Sequence, residues 1–175
     1  MTLPEQYQWL ESEGAPKMVM EFLKIYGIRE TIGNADNPVI LDWAKELKIA
    51  NYTHDSIAWC GLAEAIMASR AGKPIVKDPL WAANWLHFGT PVQVAKLGYT
   101  LVFKRPGGNH VGIYIGEDND CYHVGGGNQQ DMVRISRIAK SRCIGIRQPI
   151  YHTVEPVNVR RIIVFSNGEI STNES

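Results

Sequence analysis

Three residues of this 175-residue chain have types and spacing that can do chemistry: Cys60, His110 and Asn128. Cys60 ends the polar, turn-like run Asp55-Ser56-Ile57-Ala58-Trp59 and opens the apolar helical pattern Gly61-Leu62-Ala63. That spacing predicts a thiol in the first turn of a helix. Peptide dipoles and unpaired backbone N–H groups there favour an anion, and so the thiolate. A cysteine so placed is a candidate nucleophile, and it needs a base to take its proton and return it to a leaving group. Of five histidines, His110 has the best context. It opens the β-rich run His110-Val111-Gly112-Ile113-Tyr114-Ile115-Gly116 directly after a glycine-rich turn. Small residues at 107, 108 and 112 leave room for a substrate backbone. The imidazole then needs a partner on its other nitrogen. Asn128, after Gly125-Gly126-Gly127, lies within reach of a neighbouring antiparallel strand, and its amide oxygen can accept from the ring. Asn128 also reads as a plain turn residue, which asparagine tolerates.

Each of these residues has a structural reading as well. Cysteine is among the most buried residue types, so Cys60 in an apolar helix can be core. His123, on the next strand, is the rival base. His54, His87 and His152 read as surface or cap residues, and Cys121 and Cys143 as buried strand residues. Asp55 can cap the helix or hold a substrate amine. Trp59, Gly108 and Asn109 flank the proposed nucleophile and base as candidate substrate contacts. Trp81 and Trp85, four apart, read as core rather than as a sugar platform. The glycine runs lack the lysine and Ser/Thr of a phosphate-binding loop. The cysteines lack zinc spacing, and Asp55 alone makes no calcium loop, so no metal or cofactor is expected.

Composition narrows the partners. Eighteen basic residues balance eighteen acidic ones, which gives no electrostatic case for nucleic acid or an anionic membrane. No run approaches a membrane span. The start, Met1-Thr2-Leu3-Pro4-Glu5, lacks the basic and apolar regions of a signal peptide. Three widely spaced cysteines form no disulfide framework. A monomer made in a reducing cytoplasm is the expectation.

The elements that must position these residues divide at Gly98. Before it, residues 16–26 read as a helix stopped by Gly27. Asn37-Pro38 reads as an N-cap and first helical residue, a third helix runs from Trp59 to Arg70, and a fourth from Pro79 to His87. After it come short β-rich runs at Tyr99–Lys104, His110–Gly116, Cys121–Gly125, Met132–Ser136 and Cys143–Arg147, separated by Gly, Asn and Asp clusters. Val159–Phe165 and Glu169–Ser171 read as a final hairpin through Ser166-Asn167-Gly168, and 172–175 as frayed. Helices first and strands later predict α+β with an antiparallel sheet. The whole is one domain over 1–175, with a core at about 16–150 and the hairpin as an extension at about 156–171.

The order Cys, His, Asn, with the cysteine at a helix start and the histidine in the first strands of a sheet, resembles the papain-like plan. More closely, the chain resembles the NlpC/P60 and CHAP group of peptidoglycan hydrolases, and within it a phage- and prophage-associated, single-domain branch. Four segments carry the likeness: the opening helix followed by Gly33-Asn34-Ala35-Asp36-Asn37-Pro38-Val39-Ile40-Leu41; Asp55 through Trp59-Cys60; Leu101-Val102-Phe103-Lys104-Arg105 with Gly108-Asn109-His110-Val111-Gly112; and Gly126-Gly127-Asn128-Gln129 with Ile135-Ser136-Arg137. The chain departs from the branch at Ala58, where proline is usual, and at Gly98-Tyr99, where Gly-Asp is frequent. The resemblance implies a papain-like fold, with N-terminal helices packed on a C-terminal sheet. It also implies hydrolysis of an amide bond in or next to the murein stem peptide. Cys60 would form a thioester, His110 would shuttle the proton and Asn128 would fix the ring.

A phage-type endolysin, released to the wall by another protein's membrane pore, fits the absent signal peptide. A virion-associated wall hydrolase and an interbacterial amidase effector share the same chemistry. A non-catalytic wall-binding or tail module, and a cysteine protease or transglutaminase-like enzyme acting on proteins, are the readings from other classes.

Overall fold

The apolar spacing of the first half produces helices with readable ends. A 3-10 turn at Glu5–Tyr7 is followed by α1 (Leu10–Glu13), α2 (Lys17–Ile25) and α3 (Pro38–Glu46). Asn37 caps α3: its side chain accepts the Val39 N–H at 2.9 Å, and Pro38 sits in the first turn, where no amide hydrogen is needed. α4 (Cys60–Arg70) is buried from Cys60 through Ala68. A helix buried on every side runs through a core, not along a surface. The structure, a computed structural model, describes every residue except Met1, Ala15, Ile32, Asn34, Ser166, Asn167, Asn173 and Ser175.

The second half supplies β1 (Thr90–Val92), β2 (Thr100–Arg105), β3 (Gly108–Glu117), β4 (Cys121–Gly126), β5 (Arg134–Ala139) and β6 (Cys143–Gln148). They form one antiparallel sheet in the order β1-β6-β2-β3-β4-β5. The fold is therefore α+β, as the order of patterns predicts. Tight register in the β2–β3 hairpin sets Phe103 opposite His110 and Val102 opposite Val111. α4 contacts α2 and α3 as well as β3 and β4. Alternation along the strands builds two cores. Val102, Val111, Ile113 and Ile115 join the helices, while Leu101, Phe103, Tyr114 and Val124 pack with Tyr99, Ile138 and Val159.

Four sequence expectations give way here. The helix expected from Pro79 to His87 is a 3-10 helix at Ala82–His87, entered through a left-handed Asp78 (φ 49°). Trp81 precedes that helix, so four-residue spacing does not put both indoles on one face. Trp85 is fully buried, but Trp81 is 73% exposed and is no core residue. Among the described residues the final hairpin does not form. Ile163 bridges Glu117 and Ile170 bridges Arg137, both in parallel. The backbone of 162–164 bonds to Glu117, and the Ser171 N–H to the Arg137 carbonyl, so these segments satisfy the main sheet instead of each other. The expected turn residues Ser166 and Asn167 lie outside the described residues. Nor is 172–175 frayed throughout: Glu174 is fully buried, although Asn173 and Ser175 are not described. The short β1 carried no pattern long enough to read.

Candidate active site

Cys60 is the first residue of α4, as its context predicts, and the cap residue Trp59 supplies no side-chain capping bond to the helix. The sulfur lies against the N–H of Val111, the amide that joins His110 to Val111, with the N–H groups of Cys60 and Gly61 also turned to it. Those amides and the Arg105 charge favour the thiolate, but Cys60 is only 3% exposed. Burial dominates and pushes its pKa up from the usual thiol range. In this closed arrangement the sequence-based expectation of an acidified thiol is reversed: the helix start acts in the expected direction, and desolvation outweighs it.

His110 is fully buried at the start of β3. Its Nε2 contacts not Asn128 but the Gln129 Oε1, at 3.1 Å. The Gln129 amide nitrogen faces the carbonyls of Arg134 (2.6 Å), Val124 (3.1 Å) and Gly126 (3.4 Å). With its NH₂ committed to carbonyls, Gln129 can present only oxygen to the ring. The hydrogen-bond network thus assigns the proton to Nε2 and a lone pair to Nδ1. Nδ1 is buried and, among the described residues, has no hydrogen-bond partner. Burial lowers the His110 pKa to about 4, and the nearby Glu174 charge and the Gln129 bond offset this only in part. Among the described residues no hydrogen bond joins the Cys60 thiol to this ring; the thiol meets the adjoining peptide instead.

Asn128 is the turn that delivers Gln129. It is 3% exposed and left-handed (φ 56°), and this breaks the two-residue strand period. A Cβ on Gly126 would lie 3.7 Å from His110 Nε2, so a continued strand would turn residue 128 to the same side. The left-handed step brings in residue 129 instead. Gly127 makes this turn possible: a Cβ there would come within 2.6 Å of the Trp59 ring and 2.5 Å of Ala63.

The remaining candidates have structural duties. Asp55 is buried, and its Oδ2 accepts the N–H groups of Asn37 (2.8 Å) and Thr31 (3.1 Å). It pins the loop before α3 and does not cap α4. Trp59 is a buried pillar against Trp43, donating to Glu30 Oε1 at 2.5 Å. Asn109 holds the Phe103 carbonyl at 3.3 Å, and Gly108 is exposed with open space beside it. Gly112 leaves no room for substrate, because a Cβ there would lie 2.7 Å from the Gly125 carbonyl of β4. His123 has both nitrogens engaged, by Tyr7 Oη and Asp118 Oδ2, each at 2.8 Å. His54, His87 and His152 are exposed. Cys121 is buried and Cys143 half-buried, both as free thiols.

The sequence reading did not include Glu174. Its carboxylate takes Arg142 Nη1 at 3.0 Å and Nη2 at 2.5 Å, and its charge acts on His110. Arg142 also donates from Nε to the Lys104 carbonyl at 2.9 Å, at the turn end of the β2–β3 hairpin. Burial would raise the Glu174 pKa, but the Arg142 bonds and the surrounding positive charge hold it below the usual range. Among the described residues no cluster of His, Cys, Asp and Glu suits a metal ion, and no helix is long and apolar enough to cross a membrane. No protein-family model matches this chain, and no curated protein matches it.

Proposed function

We propose that this chain is a cysteine hydrolase of peptidoglycan, cutting an amide bond in or next to the stem peptide in the manner of a phage-type endolysin. The observation that carries the reading is the pairing of a helix-start thiol with the peptide of a histidine whose tautomer is already that of a base. The α+β architecture, with α4 against β3 and β4, is compatible with the papain-like plan that the sequence resembles.

The chemistry requires the site to open, so that substrate enters and the thiol meets Nδ1. His110 Nδ1 takes the Cys60 proton as the sulfur attacks the scissile carbonyl carbon. The carbonyl electron pair moves to oxygen, where the N–H groups of Cys60 and Gly61 can receive the charge. Collapse of the intermediate breaks the C–N bond. The imidazolium returns its proton to the leaving amine, and a thioester remains on Cys60. His110 then deprotonates a water that attacks the thioester, giving a carboxylic acid and the free thiol. Gln129 keeps the ring in the required tautomer, a part that the sequence reading gave to Asn128.

The test is digestion of purified murein by the wild type and Cys60→Ala, with the released fragments identified by mass spectrometry. Loss of clearing in Cys60→Ala is expected, together with new amine and carboxylate ends in the wild-type digest. Equal clearing by both proteins, or by neither, would sink the reading.

A further inference from the structure

Of five tryptophans, Trp43, Trp59 and Trp85 are buried and Trp9 is partly so, while Trp81 is 73% exposed. Its surroundings hold it there. The Asn84 side-chain amide bonds the carbonyls of Lys77 (3.2 Å) and Asp78 (3.0 Å). The Trp85 indole bonds the Pro79 carbonyl at 3.0 Å, and the Trp81 N–H bonds the Asp78 carbonyl at 3.2 Å. The hydrogen bonds fix the turn, and the indole face it presents is open to a ligand.

The turn is docked beside the candidate nucleophile. A Cβ on Gly61 would lie 2.2 Å from the Pro79 carbonyl oxygen and 2.8 Å from that of Leu80. The residue after Cys60 is therefore in direct contact with the residues before Trp81. The same turn borders a surface depression of about 370 Å³ lined by Val76, Lys77, Asp78, Asn84 and His87. Trp81 lies in the same turn as Asp78 and Asn84, so an exposed aromatic ring shares this segment with carboxylate, ammonium and imidazole groups, a combination that suits a pyranose. The sugar's C–H face stacks on the ring, and its hydroxyl and acetamido groups reach polar partners. A protein partner would be better served by a broader apolar patch.

We infer that Trp81 is a stacking platform for a β-1,4-linked N-acetylhexosamine glycan. It would hold the sugar strand of the polymer whose stem peptide reaches Cys60. The polymer's identity rests on the peptidoglycan reading, whereas binding of the glycan itself does not depend on hydrolysis.

The experiment uses the full chain as Cys60→Ala, titrated with a chito-oligosaccharide tetramer and followed by indole N–H resonances. The Trp81 signal is assigned by its loss in Trp81→Phe, whose remaining amide spectrum also reports folding. A saturable shift of that resonance is expected, with binding weakened about tenfold or more in Cys60→Ala/Trp81→Ala and less in Cys60→Ala/Trp81→Phe. A Trp81 resonance that does not move at millimolar sugar overturns the platform, as does equal binding by the Trp81→Ala double variant. Murein digestion by the wild type and Cys60→Ala separately tests the hydrolase reading, so the two can fail independently.

Discussion

At the scale of single residues, the His110 ring contacts the Gln129 amide and not that of Asn128. Residue type and glycine context placed Cys60 at a helix start and His110 at a strand start, and the structure has both there. The choice between Asn128 and Gln129 depended on one backbone dihedral. A left-handed φ at residue 128 is invisible in composition, because asparagine is both a good ring partner and a good left-handed residue. The two amides should therefore respond differently to substitution. Gln129→Ala leaves the ring tautomer unassigned and should lower murein-cleaving kcat about 10²-fold, with the fold retained by circular dichroism. Asn128→Gly keeps a residue that tolerates the left-handed turn and should leave kcat within a few-fold of wild type. A reversal of the two kcat effects would return the role to Asn128. Burial of Cys60 gives a second expectation at this scale. Its alkylation by iodoacetamide should be slow at pH 7 and climb as pH rises past the ordinary thiol range, because the folded protein holds the thiol protonated. A plateau already reached by pH 7 would mean that the thiolate forms in the resting protein.

At the scale of elements, the long periodic helices and the strands bounded by glycine turns were legible, and the exceptions share a cause. The 3-10 helix at Ala82–His87 and the segment after residue 150 take their shape from hydrogen bonds outside any helical or strand period, six or seven residues back in the first and far along the chain in the second. Asn84 and Trp85 hold the first, and Glu117 and Arg137 hold the second. Local periodicity carries no record of such partners. The Asp118 cluster belongs to this scale. Burial alone would raise the Asp118 pKa, but bonds from Arg137 and His123 outweigh it and hold the carboxyl far below the usual range. Its stabilising effect is therefore present above the ordinary aspartate pKa and lost as pH falls below it. Asp118→Asn should cost about 2–4 kcal/mol in urea unfolding near pH 7, because it leaves Arg137 and His123 without their acceptor while Tyr7 still rests on the ring. The Glu174–Arg142 pair likewise ties a late segment to the β2–β3 hairpin, beside His110. If that tie keeps the site shut, Glu174→Ala should speed Cys60 alkylation at pH 8 by about tenfold. An unchanged rate would assign the closure to other contacts.

At the scale of the whole molecule, two fully buried groups set opposing limits on stability as pH varies. His110 is held neutral down to about pH 4, below the ordinary histidine value of 6.5. Between those values the unfolded chain binds the proton more readily, so the stability present above pH 6.5 is lost as pH falls toward 4. Glu64 is the opposite case. It lies one turn after Cys60 in α4, fully buried, with Thr100 Oγ1 donating to its Oε1 at 2.6 Å and, among the described residues, no hydrogen-bond partner for its Oε2. Burial raises its pKa to about 8, and the Thr100 bond offsets little of this. The folded chain therefore binds the proton more readily than the unfolded one from about pH 4.5 to 8. Stability is full below pH 4.5, falls across that interval, and is flat above it. Glutamine has the shape of the protonated acid and keeps the oxygen that Thr100 needs. Glu64→Gln should therefore match wild type near pH 4.5 and exceed it by about 2–4 kcal/mol at pH 8.5, read from urea unfolding at both pH values. The murein-cleaving rate need not change, since the substitution lies in the core beneath the site and touches neither His110 nor Gln129. A pH-independent difference between the two proteins would show that Glu64 is ionised in the fold, with its charge balanced by a group that faces Oε2. In that case the interior beneath Cys60 would be polar enough to lower the cost of forming the thiolate.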